Sequence, residues 1–434
     1  VKARGDLAVI GEGEEVLEEL LDIGLEHGRL PNVEELGPLL GVAYLEGEAV
    51  RFNGLRPTMG REAYDGLTPS TGAVRDYPLH FAARVYVEVL RGCSNYTRAG
   101  LTLPEGACSG CGRCRSGGLE ERYDCPFGVP PGCGYCSGPS LYGPPRSRST
   151  GKICREVREL LAEGVRRIVL SAPDFLDYGR DLLVDPEPLT DPRHPEPNYG
   201  ALEDLLSSLA ALTEISEGDA SLMIENVKGC LVTERAARLL GSYLPGTPVN
   251  IGLETGSEGH CLQLGRPSTP EENLRAVRRL KRSGLKPYVY FIHGLPGQSS
   301  ETVDKTVDAI AESVGAGASR IILYRFQPLP MSAFSGQPSA PPASKDGLSN
   351  RIYKAALEAN RSLKEELLGR RLRVVVAEPY DRDRRFHVAY PLKHGPVVLV
   401  EGAEGREEEE VLDIVVTGVV SDRMVRGRLV GVRF

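Results

Sequence analysis

The 434-residue chain contains no tryptophan, four methionines and 10 lysines against 42 arginines. It also lacks any apolar stretch approaching the roughly 20 residues that a membrane helix needs. Its first residues, Val1-Lys2-Ala3-Arg4-Gly5-Asp6, have no apolar signal-peptide core. The expectation is a soluble cytoplasmic protein with no membrane partner. Positive charge is not in excess either. A formal net charge of −8 argues against a surface that receives polyanions over its whole extent, so any nucleic-acid contact must be local. The preference for arginine, beside 50 glycines and 32 prolines, reads as a GC-rich genome, and no function is drawn from it. A chain this long and 41% hydrophobic is too large for one ordinary core and implies two or three domains.

Cysteine is present and unevenly placed. Seven of the 10 cysteines fall within the 44 residues from Cys93 to Cys136, in spacings that mean metal far more often than disulfide in a reducing compartment. Cys154, Cys230 and Cys261 stand apart and read as small buried residues.

Around these cysteines, strands and helices alternate. Apolar runs at 84–90, 167–170, 221–225, 249–253, 287–293 and 319–325 are separated by helical patterns at 202–212, 234–240, 271–282 and 301–314. Ile153, Val157, Leu160 and Leu161 mark the buried face of a further helix, closed by Gly164. Six such units predict an α/β fold: a parallel sheet covered by helices, with function at the carboxyl ends of the strands. A partial (β/α)6 barrel, open on one side, fits the count; an open doubly wound sheet satisfies the same alternation. Cys93 follows the first strand, and Cys133-Gly134-Tyr135-Cys136 leads into the first helix. Three thiolates on one loop can hold three irons of a [4Fe–4S] cluster and leave the fourth open.

Arg91-Gly92-Cys93-Ser94-Asn95, Gly132-Cys133-Gly134-Tyr135-Cys136 and Arg146-Ser147-Arg148-Ser149 resemble the RGCN…CxYC…RSR run of radical S-adenosylmethionine (SAM) enzymes. The likeness is greatest to the methylthiotransferases and to radical SAM proteins with a cobalamin-binding domain. Glu254-Thr255-Gly256-Ser257, Leu264-Gly265-Arg266 and His293-Gly294-Leu295-Pro296-Gly297-Gln298 are similar to later segments of the same families, so the resemblance spans most of 84–330. The families space their cysteines CxxxCxxC; here some forty residues intervene between the first and second. The resemblance implies a radical-SAM cluster on Cys93, Cys133 and Cys136, and SAM contacts from Ser171, Asp174, Glu225, Glu254 and Arg266. It further implies reductive cleavage of SAM to a 5′-deoxyadenosyl radical, with a reductant protein such as ferredoxin or flavodoxin as partner. Cys108, Cys111, Cys114 and Cys125 suit a second [4Fe–4S] cluster or a structural zinc. Cys125 as a replacement for Cys93 is the weaker alternative, because it is not at a strand end.

Four segments follow: 1–80, 81–334 with the cysteine-rich insertion 94–132, 335–370, and 371–434. In the first, Gly11-Glu12-Gly13-Glu14 resembles the close of a cobalamin-binding domain, yet no histidine stands in a D-x-H-x-x-G pattern; cobalamin is a possible cofactor only. Residues 335–349 read as a linker, followed by a helix over 352–368. The last segment, with β-rich runs at 372–377, 397–400 and 411–420, reads as a small OB-like β-barrel and resembles the TRAM domain that ends the methylthiotransferases. Six acids, Glu401, Glu404 and Glu407 to Glu410, crowd one of its loops beside Arg406. Arg382, Arg384, Arg385, Lys393, Arg423, Arg426 and Arg428 then form a candidate RNA-binding side, with Phe386, His387 and Tyr390 to stack bases. Two functions remain. One is tRNA modification by methylthio or methyl transfer; the other is a cobalamin-type radical reaction on a small molecule, lipid or protein, with the small barrel as scaffold.

Overall fold

The structure is a computed structural model that describes residues 5–26, 29–103, 107–403 and 411–430. The acids Glu404 and Glu407 to Glu410, with Arg406, lie outside the described residues.

Strands β1 (Leu7–Val9), β2 (Val42–Glu46) and β3 (Ala49–Phe52) form an antiparallel sheet in the order β1-β2-β3. The Glu14–Asp22 helix buries Val16 and Leu20 against Val42 and Tyr44 of that sheet. The strand and helix expected around the Gly11–Glu14 motif are therefore present, but β1 pairs antiparallel with β2, whereas a nucleotide-binding-type domain would give it parallel neighbours.

The central domain carries β4 (Arg84–Glu88), β5 (Leu90–Arg91), β6 (Arg146–Ser147), β7 (Arg167–Ser171), β8 (Ser221–Ile224), β9 (Asn226–Val227), β10 (Pro248–Glu254), β11 (Lys286–His293) and β12 (Arg320–Arg325). Parallel pairings run β4-β7-β8 and β9-β10-β11-β12. β8 and β9 are one chain segment bent at Glu225, whose carbonyl accepts from Asn250 N at 3.1 Å. The six predicted strands thus make one continuous arc, open between β4 and β12. Helices over Thr150–Ala162, Tyr199–Ala210, Glu234–Tyr243, Pro270–Arg282 and Ser300–Gly315 cover its outer face. Strand periodicity sorts the side chains: on β10, Val249, Ile251 and Leu253 enter the core beneath the helices, while Asn250 and Gly252 face the lumen. The Gly347–Glu365 helix closes the β12 edge, because Asn360 both accepts from Ile321 N (3.0 Å) and donates to Ile321 O (2.7 Å).

The proline- and serine-rich stretch expected as a linker packs on the central domain instead. Phe334 and Ala340 are buried with Ala99, Leu264, Leu295 and Phe326, and Ala340 lies directly over Gly294. Enough apolar side chains punctuate the stretch to hold it down.

The last segment is a closed barrel of five strands, β13 (Arg371–Pro379), β14 (Phe386–Pro391), β15 (Val397–Glu401), β16 (Val411–Val419) and β17 (Met424–Leu429), in the order β13-β14-β15-β17-β16. It docks where the arc strands begin. Val375, Ala377 and Leu392 pack on Phe81 and Ala82 just before β4. Arg373 donates to Gly218 O (2.8 Å) before β8, and Lys393 to Pro245 O (3.1 Å) before β10.

Candidate active site

The carboxyl ends of the arc strands are where the three predicted ligands meet. Gly92 turns the chain after β5 at φ 89°, and a Cβ there would fall 2.2 Å from the Pro144 carbonyl oxygen, so only glycine delivers Cys93 to this point. Cys133 and Cys136 share one turn, closed by Cys136 N donating to Cys133 O at 2.8 Å. Gly134 within it passes under Phe334; a Cβ would stand 2.4 Å from the ring. The three cysteines line one cavity of about 420 Å³ together with Glu225, Asn250, Glu254, Arg266, Tyr290 and Tyr324.

Each sulfur receives N–H donors. Asn95 N points at Cys93 (3.5 Å), Asn95 Nδ2 (3.3 Å) and Arg266 Nη1 (3.4 Å) at Cys133, and Gly138 N at Cys136 (3.3 Å). Burial pushes the Cys93 thiol up to about 12, against the pull of Lys228, and raises Cys136 as well. Protonated thiols are costly ligands, so metal must displace their protons as it binds. Three thiols on one loop, preset by donors to sulfur and open to a cavity, match the donor set of a [4Fe–4S] cluster with one free corner.

Arg266 organises the opposite wall. Its Nη1 also donates to the Tyr135 hydroxyl (3.0 Å), its Nη2 to Gly252 O, and it stands 3.7 Å from Glu254, while its Nε is buried without a partner. Glu254 adopts φ 67° where a bulge interrupts β10, a strained conformation that aims its carboxylate into the cavity. Burial raises the pKa of Glu254. Ser171 donates to Glu225 at 2.6 Å and so steadies the carboxylate that lines the cavity.

Asp174 is placed differently from its expected position beside bound SAM. It is fully buried and is not a lining residue; it accepts from Lys228 Nζ (2.8 Å), Leu176 N (3.1 Å) and Lys228 N (3.2 Å). Lys228 also reaches Asp177 (2.6 Å) and Ser94 (2.9 Å), and Arg180 pairs with Asp177. Ser94, the member of this network that also donates to Asp177 (3.1 Å), directly follows Cys93 in the chain. Neither Lys228 nor Arg180 carries a local motif, and their partners lie up to 134 residues away.

Within the insertion, Cys108 has Cys114, Cys125 and Cys111 as electrostatic neighbours, whereas Cys93 has Cys136. Arg98, only 2% exposed, pins this insertion through carbonyls of Val129 (2.8 Å), Arg122 (2.6 Å) and Tyr123 (2.8 Å). Cys114 opens on a second cavity of about 510 Å³ whose wall includes Arg266 and Pro267, shared with the first. Cys154 and Cys261 are buried as expected; Cys230 is half-buried. Among the described residues, no three Cys, His, Asp or Glu side chains are gathered to hold a single metal ion.

On the small barrel, Arg382, Arg384, Arg385, Lys393, Arg423, Arg426 and Arg428 are all exposed. Arg385 pairs with Asp383 (2.7 Å) and Arg423 with Asp422 (3.7 Å). Phe386 is 7% exposed, with the guanidinium groups of Arg385 and Arg426 over its ring, which leaves no face for a base. Tyr390 faces the central domain, where Arg167 stands over its ring. Among the described residues, no helix is long and apolar enough to cross a membrane.

A sequence profile of the Radical SAM superfamily matches residues 123–310. The chain is 45% identical over 431 residues to an uncharacterized protein of Methanopyrus kandleri, covering 99% of this chain and 77% of that one. It is 28% identical over 257 residues to the ribosomal protein uS12 methylthiotransferase RimO of Moorella thermoacetica, covering 57% of this chain and 53% of that one. Over 261 residues it is 26% identical to the tRNA-2-methylthio-N(6)-dimethylallyladenosine synthase of Pelobacter propionicus, covering 56% and 52%. It thus spans about half the length of these methylthiotransferases. The profile match and the strand-end cysteines within the six-stranded arc agree: the chain carries a Radical SAM superfamily domain and belongs to one family with the Methanopyrus protein.

Proposed function

We propose that this protein cleaves SAM reductively at a cluster held by Cys93, Cys133 and Cys136 and uses the resulting radical to transfer a methylthio or methyl group to RNA. The convergence of those three thiols on a cavity with buried Glu254 and Arg266 carries the proposal. Cys93, Cys133 and Cys136 would hold a [4Fe–4S] cluster, and that group would supply the one electron that reductive cleavage of the C5′–S bond of SAM to methionine and a 5′-deoxyadenosyl radical requires. The protein's residues do the rest. Glu225 and Glu254 offer carboxylates to the cosubstrate's amine and hydroxyls, Arg266 offers charge to its carboxylate, and the stacked pair Tyr290 and Tyr324 (5.5 Å between centroids) walls the side where the arc is open. The cysteines of the insertion are assigned a second cluster. The loop that carries them departs from the carboxyl end of the first arc strands, which would put a second cluster near the radical.

The exposed arginines of the C-terminal barrel support an RNA acceptor, as does the tRNA substrate of the Pelobacter relative; the Moorella relative acts on a ribosomal protein instead. The barrel sits at the start of the arc strands, and an eight-residue strand such as β11 spans roughly 25 Å. The acceptor must therefore be large enough to reach from that barrel to the thiols. The test is formation of 5′-deoxyadenosine from SAM by anaerobically reconstituted, dithionite-reduced protein. Cys93→Ala, Cys133→Ala and Cys136→Ala should each abolish it. Survival in Cys93→Ala with loss in Cys125→Ala would overturn the ligand assignment.

A further inference from the structure

Where the two barrels meet, at the end of the arc opposite the thiols, lies a cleft of about 450 Å³. Arg84, Arg167, Arg320 and Lys364 line it with one acid, Asp422; none of the four is within salt-bridge distance of a carboxylate among the described residues, and Asp422 acts on Lys364 only as a more distant charge. Arg167 is 6% exposed and Lys364 7%. The Nε atoms of Arg84 and Arg167 are buried without a hydrogen bond. The remaining basic residue of the lining, Arg423, is paired with Asp422.

An excess of charge of one sign is costly to bury, and the cost shows here in the titration of the groups. Burial and the nearby Arg84 push the Arg167 guanidinium down to about 9, and burial with Arg320 pushes Lys364 down to about 8 against the pull of Asp422. The cleft continues past Ser319, Leu363 and His394 into a second compartment of about 590 Å³, where Lys281, Lys286, Arg370 and Arg371 face a single acid, Glu366, among the described lining residues. Such an excess of cations favours an anion of more than one charge. The other walls of the cleft are flat or apolar: Tyr77, 55% exposed, and Tyr390 stand beside Leu79, Ala82 and Pro391.

We propose that this cleft binds a small organic phosphate of the nucleotide class, with its phosphates on Arg84, Arg167, Arg320 and Lys364 and its ring system against Tyr77 and Tyr390. Two observations select a small ligand over a nucleic-acid strand. The volume lies within the roughly 300–1,000 Å³ of small-molecule sites. The floor is nearly sealed, since Tyr288 is 3% exposed and hydrogen-bonded to His394 Nδ1 (2.7 Å), so a terminal phosphate reaches Arg167 where the mid-chain phosphate of a polymer does not. The site is independent of the radical chemistry, and its ligand would tie the C-terminal barrel to the catalytic one.

The test is calorimetric titration of the reconstituted full chain with ADP, inorganic pyrophosphate and adenosine separately. ADP should bind saturably, pyrophosphate should bind and compete with it, and adenosine alone should not bind. Arg167→Met, Arg320→Met and Lys364→Gln should each weaken ADP at least tenfold. Should Arg167→Met fold poorly, the other two decide; unliganded Arg320→Met should melt no lower than the parent, because it removes an unpaired charge. Absence of ADP and pyrophosphate binding, or ADP affinity unchanged in Arg320→Met and Lys364→Gln, would overturn the proposal. Binding of tRNA that these substitutions weaken, without any ADP binding, would overturn it in favour of RNA.

Discussion

Replacing Lys228 with methionine should destabilise the central domain by about 3 kcal/mol, the lower end of the 3–5 kcal/mol that removal of one partner from a buried ion pair costs. The lower end follows from the partners left behind. Asp177 keeps Arg180 and Ser94, so one carboxylate, Asp174, is stranded with only the amides of Leu176 and residue 228. Both aspartate side chains are fully buried, so water cannot replace the ammonium. At about 2–4 °C per kcal/mol for a unit of this size, the melting transition should drop by roughly 6–12 °C. Burial already holds the Asp174 carboxyl above its ordinary range, with Lys228 the chief opposing influence. Without the lysine, Asp174 shifts further up and the folded state retains a proton that the unfolded chain releases near pH 4. The variant's stability should therefore fall as pH rises from about 5 to 8. Thermal melts of the apo-protein followed by circular dichroism read both effects. Asp174→Asn in the same chain should restore at least half of the loss and remove the added pH dependence. A loss under about 1 kcal/mol, or no rescue by Asp174→Asn, would refute the assignment of Lys228 as the counter-charge that lets Asp174 stay buried.

Iron analysis of reconstituted protein should give about eight irons per chain, falling by about half in Cys108→Ala or Cys114→Ala with 5′-deoxyadenosine formation retained; four irons with one zinc would assign the insertion to zinc instead. If four arginines of the C-terminal barrel contact RNA phosphates, tRNA affinity should weaken roughly fiftyfold over a fourfold rise in salt, from a slope of about −0.7 per contact. A flat salt dependence in filter binding would remove that role from Arg382, Arg384, Arg426 and Arg428.

Much of the arc was legible because strand and helix periods are local properties. The strands expected at 249–253, 287–293 and 319–325 appear as Pro248–Glu254, Lys286–His293 and Arg320–Arg325. The thiols were legible because metal ligands must sit close in sequence or at strand ends. What could not be read is pairing across long separations. Lys228 claims Asp174 from 54 residues away, and Arg98 holds the insertion through carbonyls that any sequence would supply. Phe386 is consumed by Arg426, its neighbour only once β17 lies beside β15, next to β14. The docking of the small barrel at the start of the strands was equally hidden, since an apolar patch of Phe81 and Ala82 names no partner.

The Gly11–Glu14 motif has a consequence for how the cluster loop can respond to the rest of the molecule. Glu12, 8% exposed, accepts from Met59 N (2.6 Å) and stands 3.3 Å from Arg91 and 2.9 Å from Arg146; Glu14 grips Arg91 at 2.7 Å. Those two arginines are cross-strand neighbours on β5 and β6, and Arg91 is two residues from Cys93. The amino-terminal sheet is thus fastened to the strand pair that sets the first thiol, with Tyr64 beneath both guanidinium groups. A ligand that bound the amino-terminal sheet and preferred one arrangement of this clasp would therefore be coupled to the placement of Cys93, and the coupling would be reciprocal.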